Sequence, residues 1–246
     1  MHNYIRAELY RIFHKKGLYI YFVILSLLYV VSVLMRSTIF SSPVAVSDSY
    51  IFALLPFFIG GPLFASIYND DLNARTLPPI IGFGRSKVFI ALCKLLVTIV
   101  MVVLHYLLVF VGFCAIHLLL RTGIDHILVS TILEMLIESI LLTIGCILVT
   151  NIVTYGIQKP TFSIVAYLIL CMELISEMVK NILQSSMISN IFGDLTGYTL
   201  PRIASRFSEG IAASKFDAMA FIQYLIYLLV AFSILSIVFN KKELEF

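Results

Sequence analysis

The chain has 246 residues, 61% of them hydrophobic and only 13% charged, with a net charge of +3 and a mean hydropathy of +1.03. Soluble domains carry roughly half apolar and a quarter charged residues, so this composition excludes an ordinary soluble fold and reads as an integral membrane protein. The positive charge sits in short flanks of apolar blocks, no basic tract is interleaved with aromatics, and no nucleic-acid partner is expected.

Residues 4–17 come first. Ile5, Leu9, Ile12 and Phe13 recur at helical spacing while Arg6, Arg11, Lys15 and Lys16 lie mainly off that stripe, the pattern of an amphipathic helix in the membrane interface. The first span is expected at about 18–35; it has no small-residue cleavage site and is long enough to stay as an anchor. A second span follows at about 50–68.

After it, Asn69, Asp70 and Asp71 are residues that cap a helix N-terminus and complement its dipole, and Pro78-Pro79 would end that helix. A short cytoplasmic helix over 70–77 is therefore expected, presenting Asp70, Asp71, Asn73 and Arg75 to a soluble partner. Arg85 and Lys87 mark the return to the membrane. Lys94, a turn or two inside the third block (90–120), reads as a side chain that snorkels to the cytoplasmic headgroups.

In the fourth block (128–155), Glu134 and Glu138 share one helix face. A charge in a membrane helix costs at least a few kcal/mol, so the pair either lines a cavity or path or stands at headgroup depth as a boundary. The fifth block (161–175) has an uncharged stretch short enough for a re-entrant or broken segment. Glu173 and Glu177 repeat the four-residue spacing where it gives out. The connection 176–217 carries its own apolar residues and the breakers Gly193, Gly197 and Pro201, and is expected to form short extracellular or re-entrant helices. The last span covers about 218–239.

Lys15-Lys16 before the first block and Lys241-Lys242 after the last place both termini in the cytoplasm, so the number of spans is even, and six fits. Cys93, Cys114, Cys146 and Cys171 all lie in apolar blocks without metal-ligand spacing. Isolated histidines, and the absence of a Gly-x-Ser-x-Gly elbow or a Gly-x-x-x-x-Gly-Lys-Ser/Thr loop, leave no expected catalytic residue, metal site or bound cofactor.

Three features together resemble the type-2 ABC transporter permeases. They are the basic amphipathic helix before the first span, the acidic polar helix after the second, and the entry Gly82-Phe83-Gly84-Arg85-Ser86-Lys87-Val88-Phe89-Ile90-Ala91-Leu92-Cys93-Lys94 to the third. The resemblance implies an all-α, six-span permease subunit of an exporter in the bacterial cytoplasmic membrane. Its interfacial helix would be the connecting helix and 70–77 the coupling helix, with Asp70, Asp71, Leu72, Asn73, Arg75 and Thr76 docking an ABC ATPase. ATP and Mg would sit on those ATPase subunits, and the permease would pair with a second permease chain, identical or related. Such permeases export amphipathic peptides, bacteriocins or hydrophobic drugs, and the chain itself would be no enzyme. The competing readings are an ion-coupled transporter or channel in which Glu134, Glu138, Glu173 and Glu177 relay cations, and a membrane scaffold that transports nothing.

Overall fold

The computed structural model describes residues 2–39, 54–73, 86–119, 126–185, 195–213 and 215–241, and every regular element among them is helical. Helix α1 (His2–Phe13) is followed after a break at His14-Lys15 by α2 (Lys16–Ile39). Residues 54–73 form one continuous rod, α3, in which Pro56–Gly60 and Ala65–Asn69 are wound as π-helix and Gly61–Phe64 and Asp70–Asn73 as α-helix. Then come α4 (Lys87–Leu119), α5 (His126–Ile157), α6 (Pro160–Cys171), α7 (Glu173–Leu183), a 3-10 turn at Thr196–Tyr198, α8 (Leu200–Ala212) and α9 (Ala218–Lys241).

The boundaries follow from local chemistry. Gln158 adopts φ 59° and Lys159 is extended, as the residue before a proline must be, so α5 ends and Pro160 opens α6 at a position where its missing N–H costs nothing. Met172 is extended and separates α6 from α7. Asp217 caps α9: its Oδ1 accepts from the Ala220 N–H at 3.0 Å, and its Oδ2 accepts from Arg206 at 3.2 Å.

That cap makes a pH prediction. The Ala220 N–H, followed by Arg206, lowers the Asp217 carboxyl below its ordinary 3.8. A lowered acid contributes stability that is complete above pH 3.8 and is lost as pH falls through the folded-state value. Melting temperature against pH is expected to show a shallower acid limb in Asp217→Ala than in wild type, with Asp217→Asn retaining the cap and removing the pH dependence.

Three helices are long and apolar enough to cross a bilayer, Lys87–Ile116 within α4, Val129–Ile157 within α5 and Ala218–Lys241, which is α9. The described residues thus hold three such helices, against the six spans expected. Of the remaining expected spans, α6 stops at Cys171 after 12 residues, α2 holds the apolar stretch Tyr19–Leu28 among the described residues, and α3 is flanked by residues outside those described. Leu107, Leu118, Leu229 and Ile237 point away from the bundle and are more than half exposed. Apolar faces of that extent on the long helices fit a hydrocarbon surround and not water.

Helix α5 is the hub, packed against α4, α6, α8, α9 and the upper part of α3. Close approaches use its small residues: a Cβ at Gly145 would come within 2.6 Å of Leu200 Cδ2 on α8. Tyr106 on α4 donates to Thr143 Oγ1 on α5 at 2.7 Å, because the Thr143 hydroxyl hydrogen is given to the Ser139 carbonyl. A helix stands where the N-terminal amphipathic one was expected, ending at Phe13 and not at residue 17. Ile12 is fully buried, Ile5 and Leu9 pack on the core, and α1 lies against α4, so its apolar stripe meets protein.

Candidate functional site

The site is built on the unusual winding of α3. Pro62 lacks the N–H that would continue the α-ladder, and Gly60-Gly61 are poor helix formers, so the rod has weak intrinsic preference for one winding. Wider turns leave carbonyls for outside donors, and π-turns of this kind recur at functional sites. Tyr167 Oη of α6 donates to the Pro56 carbonyl at 2.7 Å. Lys15 Nζ, from the α1–α2 junction, donates to the Ser66 carbonyl at 3.0 Å, and Lys94 Nζ of α4 donates to the Ile67 carbonyl at 2.9 Å.

The same two ammonium groups hold acids. Lys15 pairs with Asp70 and Lys94 with Asp71, while Arg11 of α1 reaches Asp71 at 3.2 Å and Glu8 at 2.6 Å. Among the described residues, Glu8, Asp70 and Asp71 thus face Arg11, Lys15 and Lys94, a latch of paired charges that ties α1, α3 and α4 together. Its two halves differ in burial. The Lys94 and Asp71 side chains are 1% and 3% exposed, whereas those of Lys15 and Asp70 are 27% and 44% exposed. Screening leaves an exposed pair worth little, about 0–1 kcal/mol, but a buried charge stripped of its partner is costly.

Surrounding groups complete the buried half. Lys94 Nζ lies 5.5 Å from the centroid of the Tyr68 ring, and Tyr68 donates to Thr98 Oγ1 at 2.9 Å because Thr98 gives its own hydrogen to the Lys94 carbonyl. Burial raises the Tyr4 phenol above its ordinary 10.0, with the Glu8 carboxylate acting in the same direction. Burial lowers the Lys15 ammonium from 10.5, with Arg11 pushing the same way and Glu8 against it. Its ion pair with Asp70 favours the charged form.

The structure brings Arg11, Lys15, Asp70, Asp71 and Lys94 into one cluster. It corrects three expectations. Asn69-Asp70-Asp71 do not start a new helix, because α3 runs through them without a break and Asp70 is itself helical at φ −63°, ψ −33°. Asp71 and Leu72 are buried, where an exposed face was expected, while Asn73 is exposed. Lys94 is turned inward, its side chain 1% exposed and paired with Asp71, where a snorkelling side chain was expected. Arg6 and Lys16 are exposed, and Lys87 donates to the Asn240 carbonyl at 3.5 Å. Glu134 and Glu138 are half-buried in the N-terminal half of α5, and Glu177 is exposed on α7. Arg75, Thr76, Arg85 and the Glu173 side chain lie outside the described residues, as does 74–77 of the expected coupling helix.

Sequence reasoning missed Glu8 and Tyr167. For Glu8 a signal existed, one acid three residues before Arg11 in an otherwise basic segment. For Tyr167 there was none, since its partner is the Pro56 carbonyl, 111 residues away. Among the described residues no group of three metal-ligating side chains is gathered.

The fold and this site define a helical protein with the build of an integral membrane protein, its inner charge cluster clamping one irregular helix. No family model and no curated protein matches the chain.

Proposed function

We propose that the chain is the membrane-spanning permease subunit of an ATP-driven exporter, of the type-2 ABC permease kind. In this reading six segments cross the bacterial cytoplasmic membrane, α2, α3 and α6 with α7 completing the three long helices, and both termini are cytoplasmic. Separate ATPase subunits hold ATP and Mg, a second permease chain completes the path, and the cargo is an amphipathic peptide or hydrophobic drug.

The observation that carries the reading is the latch. The segment leaving α3 at Asn73, the expected docking element, is fastened through Asp70 and Asp71 to α1, to the start of α2 and to α4. A push on that segment by an ATPase would reach three elements at once, which is what converting a local closure into a movement of packed helices requires.

The test is affinity purification of the tagged chain from its native membrane. Wild type is expected to bring down an ATPase with a phosphate-binding loop, and Asn73→Lys to release it at an unchanged melting temperature, because Asn73 is exposed. Wild type that brings down no such ATPase, under conditions that preserve known membrane complexes, overturns the proposal.

A further inference from the structure

The winding of α3 and the latch form one device. In an α-helix the Asp70 N–H would bond the Ser66 carbonyl. Here it bonds the Ala65 carbonyl, and Ser66 instead accepts from Lys15. Lys94 occupies the next carbonyl, that of Ile67. Each ammonium also holds the carboxylate four residues further along, Lys15 that of Asp70 and Lys94 that of Asp71. Two lysines from outside the helix therefore donate to the carbonyls that α-winding would use and anchor the acids that α-winding would turn.

Pro62 alone does not account for this. It lies in the α-wound stretch Gly61–Phe64 between the two π-turns, and its missing N–H leaves the bonding of Asp70 untouched.

We infer that the turn Ala65–Asn69 is a two-register switch held in its π form by Lys15 and Lys94. When the lysines withdraw, the Asp70 N–H takes the Ser66 carbonyl, the turn rewinds to α, and Asp70–Asn73 rotates by one residue position, about 100°. The tandem acids make the second register tenable. Asp70 arrives at the bearing that Asp71 leaves, so a carboxylate faces Arg11 in both. The two forms differ by a discrete step, as a switching element requires. The inference deepens the proposed function, in that the rotated end leads into the docking segment, and it rests on that reading only for what the rotation serves.

The test uses the full chain purified in detergent, with Cys93, Cys114, Cys146 and Cys171 replaced by Ser, and no ATPase. Two single reporters are compared: Leu72→Cys, below the switch and 6% exposed at present, and Leu63→Cys, above it and 0% exposed. In the Lys15→Gln/Lys94→Gln background, Leu72→Cys is expected to react with a maleimide about tenfold faster, because it takes the exposed bearing of Asn73, while Leu63→Cys stays slow. Acceleration at both positions, which is melting, or at neither overturns the switch. Deleting Ser66 supplies the second measurement, since it removes the extra residue of the turn and leaves both flanks in their present register. That chain is expected to melt no lower than wild type and to keep Leu72→Cys slow; a lower melting temperature or fast labelling overturns the inference. A failure here leaves the ATPase result standing, and a failure there leaves the switch standing.

Discussion

Replacing Lys94 by Met is expected to destabilise the protein by about 3–5 kcal/mol, measured as a shift in reversible unfolding in mixed micelles. The substitution nearly conserves volume, so packing is not the cause. It strips Asp71, whose side chain is 3% exposed, of a cation, and it removes the side-chain donor to the Ile67 carbonyl. Coulomb attraction in such a site holds two charges that burial alone would expel, and removing one partner leaves the full desolvation penalty of the other. The double substitution Lys94→Met/Asp71→Leu is expected to recover most of the loss, because an apolar pair of similar volume needs no compensation and Arg11 keeps Glu8. By contrast, Lys15→Met, at the exposed end of the latch, should cost about 1 kcal/mol or less. Equal losses from Lys15→Met and Lys94→Met would contradict the burial difference on which the site is argued.

The second large effect is at Gly60. A Cβ there would lie 1.9 Å from Tyr167 Oη, 2.7 Å from Thr143 Cγ2 and 3.0 Å from Tyr167 Cζ. The tyrosine cannot swing away easily, because its hydroxyl donates to the Pro56 carbonyl at 2.7 Å and its ring stacks on Phe64 at a centroid distance of 5.3 Å. Gly60→Ala is therefore expected to cost about 3 kcal/mol by overpacking, despite the better helix propensity of alanine. Adding Tyr167→Phe and Thr143→Ser removes the two nearest atoms and should recover part of that loss, read as melting temperature. Gly17→Ala is the matched control: nothing lies within 4 Å of its Cβ position, and alanine there should be neutral or stabilising by up to about 1 kcal/mol.

Much of the architecture was legible in the chain itself. Long apolar runs announced α4, α5 and α9, the helical spacing of Ile5, Leu9 and Ile12 announced α1, and the short uncharged stretch of the block 161–175 announced α6. The charged residues around Asp70 were recognisable as important, since acids at the end of an apolar block and one lysine inside another are costly to keep. Their arrangement was not legible. Asn69-Asp70-Asp71 has the composition of a cap, yet α3 carries straight through it, with Lys15 and Lys94 donating to carbonyls of its last turns from outside.

Sequence by itself determined that the protein is helical, that it has the apolar helices of a membrane protein, and that its charges gather near one stretch. Hydropathy, helical periodicity and proline geometry act over a few neighbouring residues, so the chain displays them directly. Only the tertiary structure decided that Lys94 pairs with Asp71, that Lys15 and Tyr167 donate to carbonyls of α3, and that two stretches of this helix are wound as π. Those bonds join residues 23, 51 and 111 positions apart, and whether a buried charge meets its counter-charge or the water at a membrane surface depends on how the helices pack.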